Sequence, residues 1–244
     1  MSRIGARRKT SRSAQSVTSR RWRAAVLIYA FAASASALAC HTQSPKPAEK
    51  APPAPLHQGP LTDYVASAGL RWMFVGRPKE LAQNAEFLAE VNRVLSARRL
   101  ESFALASGVD LRALPEGCIA GFDYGTIYLA RVGTGVALAR KRFEERLVSD
   151  PVIRSSHPDL WRITGLVANT PESLLAVDND FVAVAIGDPL LVRVTEAFAM
   201  GRFRKSKPAL AGAALASLPA DLSQAPVRFY APGPFANEWA NAAD

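Results

Sequence analysis

The stretch SLLAVDNDFVAVAIGDP, residues 173–189, decides the fold. Two apolar runs, SLLAVD and FVAVAIG, are joined at Asn179-Asp180, a two-residue turn pattern, and read as the arms of a β-hairpin. The second arm alternates large Val182, Val184 and Ile186 with small Ala183 and Ala185. It is apolar on both faces, which predicts a central strand covered by helices. Asp188-Pro189 then supplies an N-cap and a first-turn proline for a helix to about residue 201.

The same order of signals occurs upstream. GFDYGTIYLARVG (121–133) with a helix to Phe143 echoes AVDNDFVAVAIG (176–187) with a helix to Phe198. Asp123 matches Asp178, and TIYLA matches FVAVA. The echo predicts a single α+β domain with a mixed or antiparallel sheet covered by helices, built from two similar ββα halves. Working outward, CIAGFDY (118–124) and TIYLARV (126–132) read as strands meeting at Tyr124-Gly125, and LRWMFVG (70–76), LWRITGLV (160–167) and VRFYA (227–231) as further strands. Pro78 opens a helix whose face is Leu81, Leu88, Val91 and Leu95. A second helix spans about 97–107 and ends at Gly108, and a third spans 136–148 after the Gly133-Thr134-Gly135 break. PALAGAALASL (208–218) predicts a short helix, and FANEWANAAD (235–244) starts an amphipathic pattern that a longer chain would complete.

The formal charge of +9 looks like that of a nucleic-acid binder until it is divided. Residues 1–39 carry Arg3, Arg7, Arg8, Lys9, Arg12, Arg20, Arg21 and Arg23 and no acid, which leaves 22 basic against 21 acidic residues in the remainder. A near-neutral remainder has no field with which to recruit polyanions, so nucleic acid is not an expected partner. The basic residues lead into AAVLIYAFAASASALA (24–39), 16 residues of which eight are Ala and two Ser. That run is shorter and less apolar than a membrane span of about 20 residues, so residues 1–39 read as an export signal, with an uncleaved membrane helix as the alternative.

The box Ala37-Leu38-Ala39-Cys40 that ends this signal resembles the lipidation box of bacterial lipoproteins, with Ala37 and Leu38 exchanged relative to the family's usual order. The resemblance covers residues 1–40 and implies a lipid on Cys40, which would become the new N-terminus. Plain secretion after either A-x-A site, Ala35-Ser36-Ala37 or Ala37-Leu38-Ala39, is the competing reading. SRRWR (19–23) resembles a twin-arginine export motif with Arg23 in place of the usual Phe, so the export route stays open. The folded part resembles predicted lipoproteins, a likeness that implies no activity.

Residues 40–60 then read as the attachment site and a tether. HTQSPKPAEKAPPAPLHQGP (41–60) holds six prolines and almost no large apolar side chain, so it favours extended polyproline conformations. At ~3.1 Å per residue it reaches at most roughly 60 Å. The remaining residues, 61–244, suffice for one domain without disulfides. Their single thiol, Cys118, opens an apolar run and reads as buried and inert.

Catalytic and metal chemistries find little footing. His41 and His57 lie in the tether, which leaves His157, before Pro158, as a surface residue of a polar loop. GTGVAL (133–138) sits where a dinucleotide fingerprint would, but Leu138 replaces the third glycine, so it reads as a turn and no cofactor is expected. Asp178, Asp180 and Asp188 lack the Gly and Glu of a calcium loop and read as a hairpin turn and a helix cap, so no metal is expected. In ARKRFEER (139–146) the pairs Arg140–Glu144 and Lys141–Glu145 describe a solvated helix face. Arg202, Arg204, Lys205 and Lys207 have no acid nearby; they read either as a cationic helix end or as a contact for an anionic surface such as lipid headgroups.

The expectation is a cell-envelope lipoprotein, held on the periplasmic or surface side of a bacterial membrane (the outer one by preference). Its partners would be the membrane, through the Cys40 lipid, and an envelope protein or polymer, and its domain a non-catalytic binding or scaffolding one. An exported enzyme using carboxylates and a periplasmic small-ligand binder are the alternatives. A flat face would favour the scaffold, a deep polar pocket with two close carboxylates the enzyme, and a large apolar cleft the binder.

Overall fold

Eight strands form among the described residues, most of them from apolar runs, and all of them join one sheet. The computed structural model describes residues 52–203, 206–211 and 225–232, so Cys40, Arg204, Lys205 and the export signal lie outside the described residues. The elements are β1 (Leu70–Gly76), α1 (Pro78–Leu81), α2 (Ala85–Val94), α3 (Ala97–Ser107), β2 (Gly117–Phe122), β3 (Gly125–Arg131), α4 (Val136–Arg146), β4 (Val152–His157), β5 (Leu160–Val167), β6 (Thr170–Val177), β7 (Phe181–Gly187), α5 (Leu190–Ala199) and β8 (Val227–Tyr230). The strand order is β4-β5-β6-β7-β3-β2-β1-β8, and every pairing is antiparallel. The fold is an α+β single domain, as the sequence predicts.

The stretch read first is the middle of this sheet. β7 pairs with β6 on one side and β3 on the other, with Tyr128 opposite Val184 and Ala130 opposite Val182. Phe181, Ala183 and Ala185 pack with Leu191, Val192 and Phe198 of α5, and the two small alanines let the helix lie close. Val182 turns to the opposite face and packs with Val136, Ala139 and Phe143 of α4. The two arms meet in a three-residue turn, Asp178 to Asp180, with Asn179 at φ 54°, rather than the two-residue turn predicted. The other hairpin turns at Asp123-Tyr124, one residue earlier than expected, because Phe122 pairs directly with Gly125.

The echo between the halves holds for the strands and extends beyond the ββα pattern: outward from the centre run β3-β2-β1 on one side and β7-β6-β5 on the other. It fails for the helices. A two-fold axis relating antiparallel β3 and β7 would put both following helices on one face. Instead α4 and α5 sit in separate cores on opposite faces, both over β6 and β7. The second half is therefore covered twice. The first half is covered on the α5 side by the Leu61–Tyr64 turn, which contributes Leu61 and Tyr64 to the core.

Three local readings change. The helix after Pro78 is two helices, because the Asn84 side chain accepts a hydrogen bond from Phe87 N (2.9 Å) and caps a new start at Ala85. The polar segment ahead of His157 is the edge strand β4, whose residues are exposed and alternate too weakly to show a strand pattern. Residues 54–60 run on the domain rather than clear of it. His57 N donates to Ala199 O (2.7 Å), Tyr64 Oη donates to His57 O (2.7 Å), and Arg131 donates to Gly59 O (2.6 Å). Among the described residues no helix is long and apolar enough to cross a membrane.

Candidate functional site: an apolar cleft on the first half

Helix placement leaves the α4-side face of β1, β2 and β3 short of cover, and a cleft opens there. Pairing fixes its floor. One cross-strand row reads Phe229, Phe74, Ile119, Tyr128, Val184, Leu174 and Ile163 from β8 to β5, all on the same face. The parallel row contains Gly76, Gly117 and Ala130, whose small side chains leave depth beside Phe74 and Tyr128. A Cβ added at Gly117 would meet nothing closer than 3.9 Å. On the far side, Trp72 lies over Gly121, where an added Cβ would collide with the indole.

The wall is helical. Phe103 and Ser107 of α3 and Ala139 and Phe143 of α4 close the cleft, which has a volume of about 370 Å³. Sequence reading found the ends of α3, including Gly108 in the left-handed conformation at φ 74°, but not its role as a wall. Besides the Tyr128 hydroxyl and the buried Cys118, the polar residues of the lining are half-buried Ser107, exposed Arg146 and Glu172, whose side chain is 12% exposed. Ser107 Oγ is bonded to Phe103 O (2.7 Å), and Arg146 Nη2 donates to Glu172 (3.1 Å) while its guanidinium lies 5.6 Å from the Phe143 ring. Arg146 keeps further N–H groups at the rim. Nothing in the charge run 139–146 singles out Arg146: the Arg140–Glu144 (2.9 Å) and Lys141–Glu145 (3.9 Å) pairs form as read, and only its partner on β6 distinguishes Arg146.

The other candidate residues are scattered. Arg202 and Lys207 are exposed on the segment after α5, where Arg202 N donates to Ala197 O (2.8 Å) and Ser67 N donates to Lys207 O (2.9 Å). Arg202 lies three residues past α5, placed to complement the negative end of the helix. His157 ends β4 and is not a surface residue: its side chain is 9% exposed, with Nε2 bonded to Ala54 O (3.1 Å). Asp180 and Asp188 flank β7 at its opposite ends, one paired with Arg131 and the other accepting from Leu190 N (2.8 Å). Gly133–Gly135 is a turn of 3-10 helix ahead of α4. Among the described residues no three His, Cys, Asp or Glu side chains gather as a metal site needs.

One buried polar pair has no signal in the sequence, and one buried thiol is where the sequence predicts it. Glu196 in α5, 6% exposed, pairs with Arg162 of β5 and accepts from Ser156 Oγ (2.5 Å), an arrangement no local sequence pattern announces. Cys118 is 1% exposed in β2, where burial and the charge of Glu116 push its thiol well above the ordinary range. It is unreactive in the folded chain. Comparison with protein-family models, curated proteins and solved structures gives no match to this chain.

Proposed function

We propose that this chain is an exported cell-envelope lipoprotein, attached through Cys40, whose domain binds one acyl chain of an amphiphile in the cleft between α3, α4 and the sheet. The composition of the cleft carries the reading. At about 370 Å³ it lies near the lower end of the 300–1,000 Å³ of small-molecule sites, and its floor and walls are aliphatic and aromatic. A peptide would bring backbone N–H and C=O groups that this lining leaves unpaired, at about 1–3 kcal/mol each. A hydrocarbon chain brings none. The spare N–H groups of Arg146 at the rim suit an anionic head such as a carboxylate.

The address is supported by the basic leader, the short apolar run and the position of Cys40. The spacer that follows is shorter than its composition suggests, because the chain is bonded to the domain from Ala54. Residues 41–53 span at most roughly 40 Å at ~3.1 Å per residue, which keeps the cleft near the bilayer. The domain then works as a binder beside a membrane, not as a catalyst.

Displacement of 11-(dansylamino)undecanoic acid tests the cleft. Gly117→Leu fills open space, so it should cut probe affinity at least tenfold and leave the melting temperature within a few degrees of wild type. Unchanged affinity in that variant would remove the cleft as the site. Separately, Cys40→Ala should release the protein from membranes, and continued membrane association would overturn the lipid anchor.

A further inference from the structure

Helices α2 and α3 are amphipathic, and their apolar sides are left open. On α2, Phe87, Leu88, Val91, Val94 and Leu95 recur at the spacing of one helical stripe, and Glu86, Glu90 and Arg93 mark the other side. A stripe of that strength normally faces a core. Here no residue of α2 is buried, and Val94 is 76% exposed. On α3 only Leu100 is buried, and Leu105 is 72% exposed. Arg98 and Arg99 lie in the first turn of α3, so residues 85 to 107 carry three acids and three bases.

We infer that α2 and α3 make a membrane-contact element whose apolar residues lie in the headgroup–acyl boundary of the bilayer, with the cleft mouth beside α3. Three observations select a bilayer as the occupant. A strongly amphipathic helix of low overall hydrophobicity is the form that rests in a membrane interface, buried ~5–10 Å deep. Helix α3 adjoins the cleft, because its exposed Phe103 is also part of the cleft lining. The spacer after Cys40 keeps the domain within reach of the membrane that holds the anchor. The balanced charge fits zwitterionic lipid, since attraction to anionic lipid needs a net basic face. The inference rests on the lipoprotein reading for the nearness of a bilayer, on the acyl-binding reading for the last step, passage of a chain from bilayer to cleft, and on α2 and α3 for the contact itself.

The test uses the full chain with Cys40→Ala, so that contact does not depend on the anchor, and with either Val94→Cys or Arg154→Cys carrying a nitrobenzoxadiazole label. Cys118 is buried and stays unlabelled. Arg154 is exposed on β4, remote in sequence from α2 and α3. With phosphatidylcholine vesicles containing a doxyl lipid, emission at residue 94 should shift to the blue and lose most of its intensity, and emission at residue 154 should do neither. Equal quenching at both positions, or none at 94, overturns the inference. So does a blue shift at 94 that follows protein concentration without lipid, since a second copy would then be what covers the helix. Adding Gly117→Leu separates the two readings: quenching at 94 should persist when probe binding in the cleft is lost.

Discussion

Ile163 and Phe74 lie in one cross-strand row on one face of the sheet, five strands apart, and their surroundings are opposite. Ile163 and its neighbour Leu174 are sealed beneath α4 with Phe143. Val184 is half-covered, Tyr128 is 42% exposed, Phe74 37% and Phe229 65%. Side-chain chemistry barely changes along the row; the cover does. Both long crossing helices lie over β6 and β7, one on each face, so one half of a near-symmetric sheet is a three-layer core and the other a two-layer core with an apolar floor facing outward. Unsealed apolar surface of this kind marks a binding face. What distinguishes the closed half from the open half here is where two helices were laid, not which residues the strands carry.

The sharpest way to break that comparison is to make the same change in both halves. Phe181→Ala empties a fully buried position between the sheet and α5 and should destabilise the domain by about 3–5 kcal/mol in urea unfolding. A loss below about 1 kcal/mol would mean that the doubly covered half is not the principal core. Next in size, Glu196→Ala strands Arg162 at the edge of the same half and should lower stability by roughly 3 kcal/mol. Replacing both charges together, with Glu196→Leu and Arg162→Met, should recover most of that loss, because the pair matters chiefly through the cost of leaving one member alone.

A smaller effect tests the face that both halves share. Cys118 and Tyr64 pack in the core beneath α5, and burial raises both pKa values, that of Tyr64 from 10.0 to about 12. A group whose folded pKa is raised contributes its full stability below the unfolded pKa and loses it as pH rises. Cys118 titrates near 9.0 when unfolded, so unfolding free energy should begin to fall above about pH 9, by ~1.4 kcal/mol per pH unit for one group. Tyr64 adds a second decline from pH 10 towards 12, which also withdraws the hydroxyl that holds His57 O at the base of the tether. Cys118→Ala should flatten the slope between pH 9 and 10 and leave the later one. A wild-type curve flat to pH 11 would mean that this face is wetter than its packing implies.

Much of the half-and-half design is legible in the sequence, and the illegible part has a definite cause. Strand β7 shows itself through apolar residues on both faces, and the β2–β3 and β6–β7 hairpins through their turns, because these signals are local. β4 is not legible: an exposed edge strand has no buried face to impose alternation on Val152, Ile153 and Arg154. The cleft is not legible either, since it arises from α4 crossing to the far hairpin, and nothing within α4 states which strands it will cover. The stripe of α2 was legible and misleading, for a helix stripe reads as core whatever covers it. Cys40, Arg204 and Lys205 lie outside the described residues, and the address remains an expectation of the leader alone.

The smallest effect on stability is the one that decides the function. Phe74→Ala removes an aromatic ring as large as that of Phe181, from the same sheet, but from the half with one face open. Its ring already meets solvent over about a third of its surface, so less transfer free energy is lost and no closed cavity is left; the expected destabilisation is about 1 kcal/mol or less. The ring should matter far more to a ligand, because Phe74 and Tyr128 frame the depth above Gly117. Fluorescent fatty-acid titration of Phe74→Ala should therefore show severalfold weaker binding at nearly native stability, the reverse of the Phe181→Ala result. A variant that loses stability as Phe181→Ala does would show that Phe74 is sealed by something in the intact chain. The open half would then be a second core rather than a site.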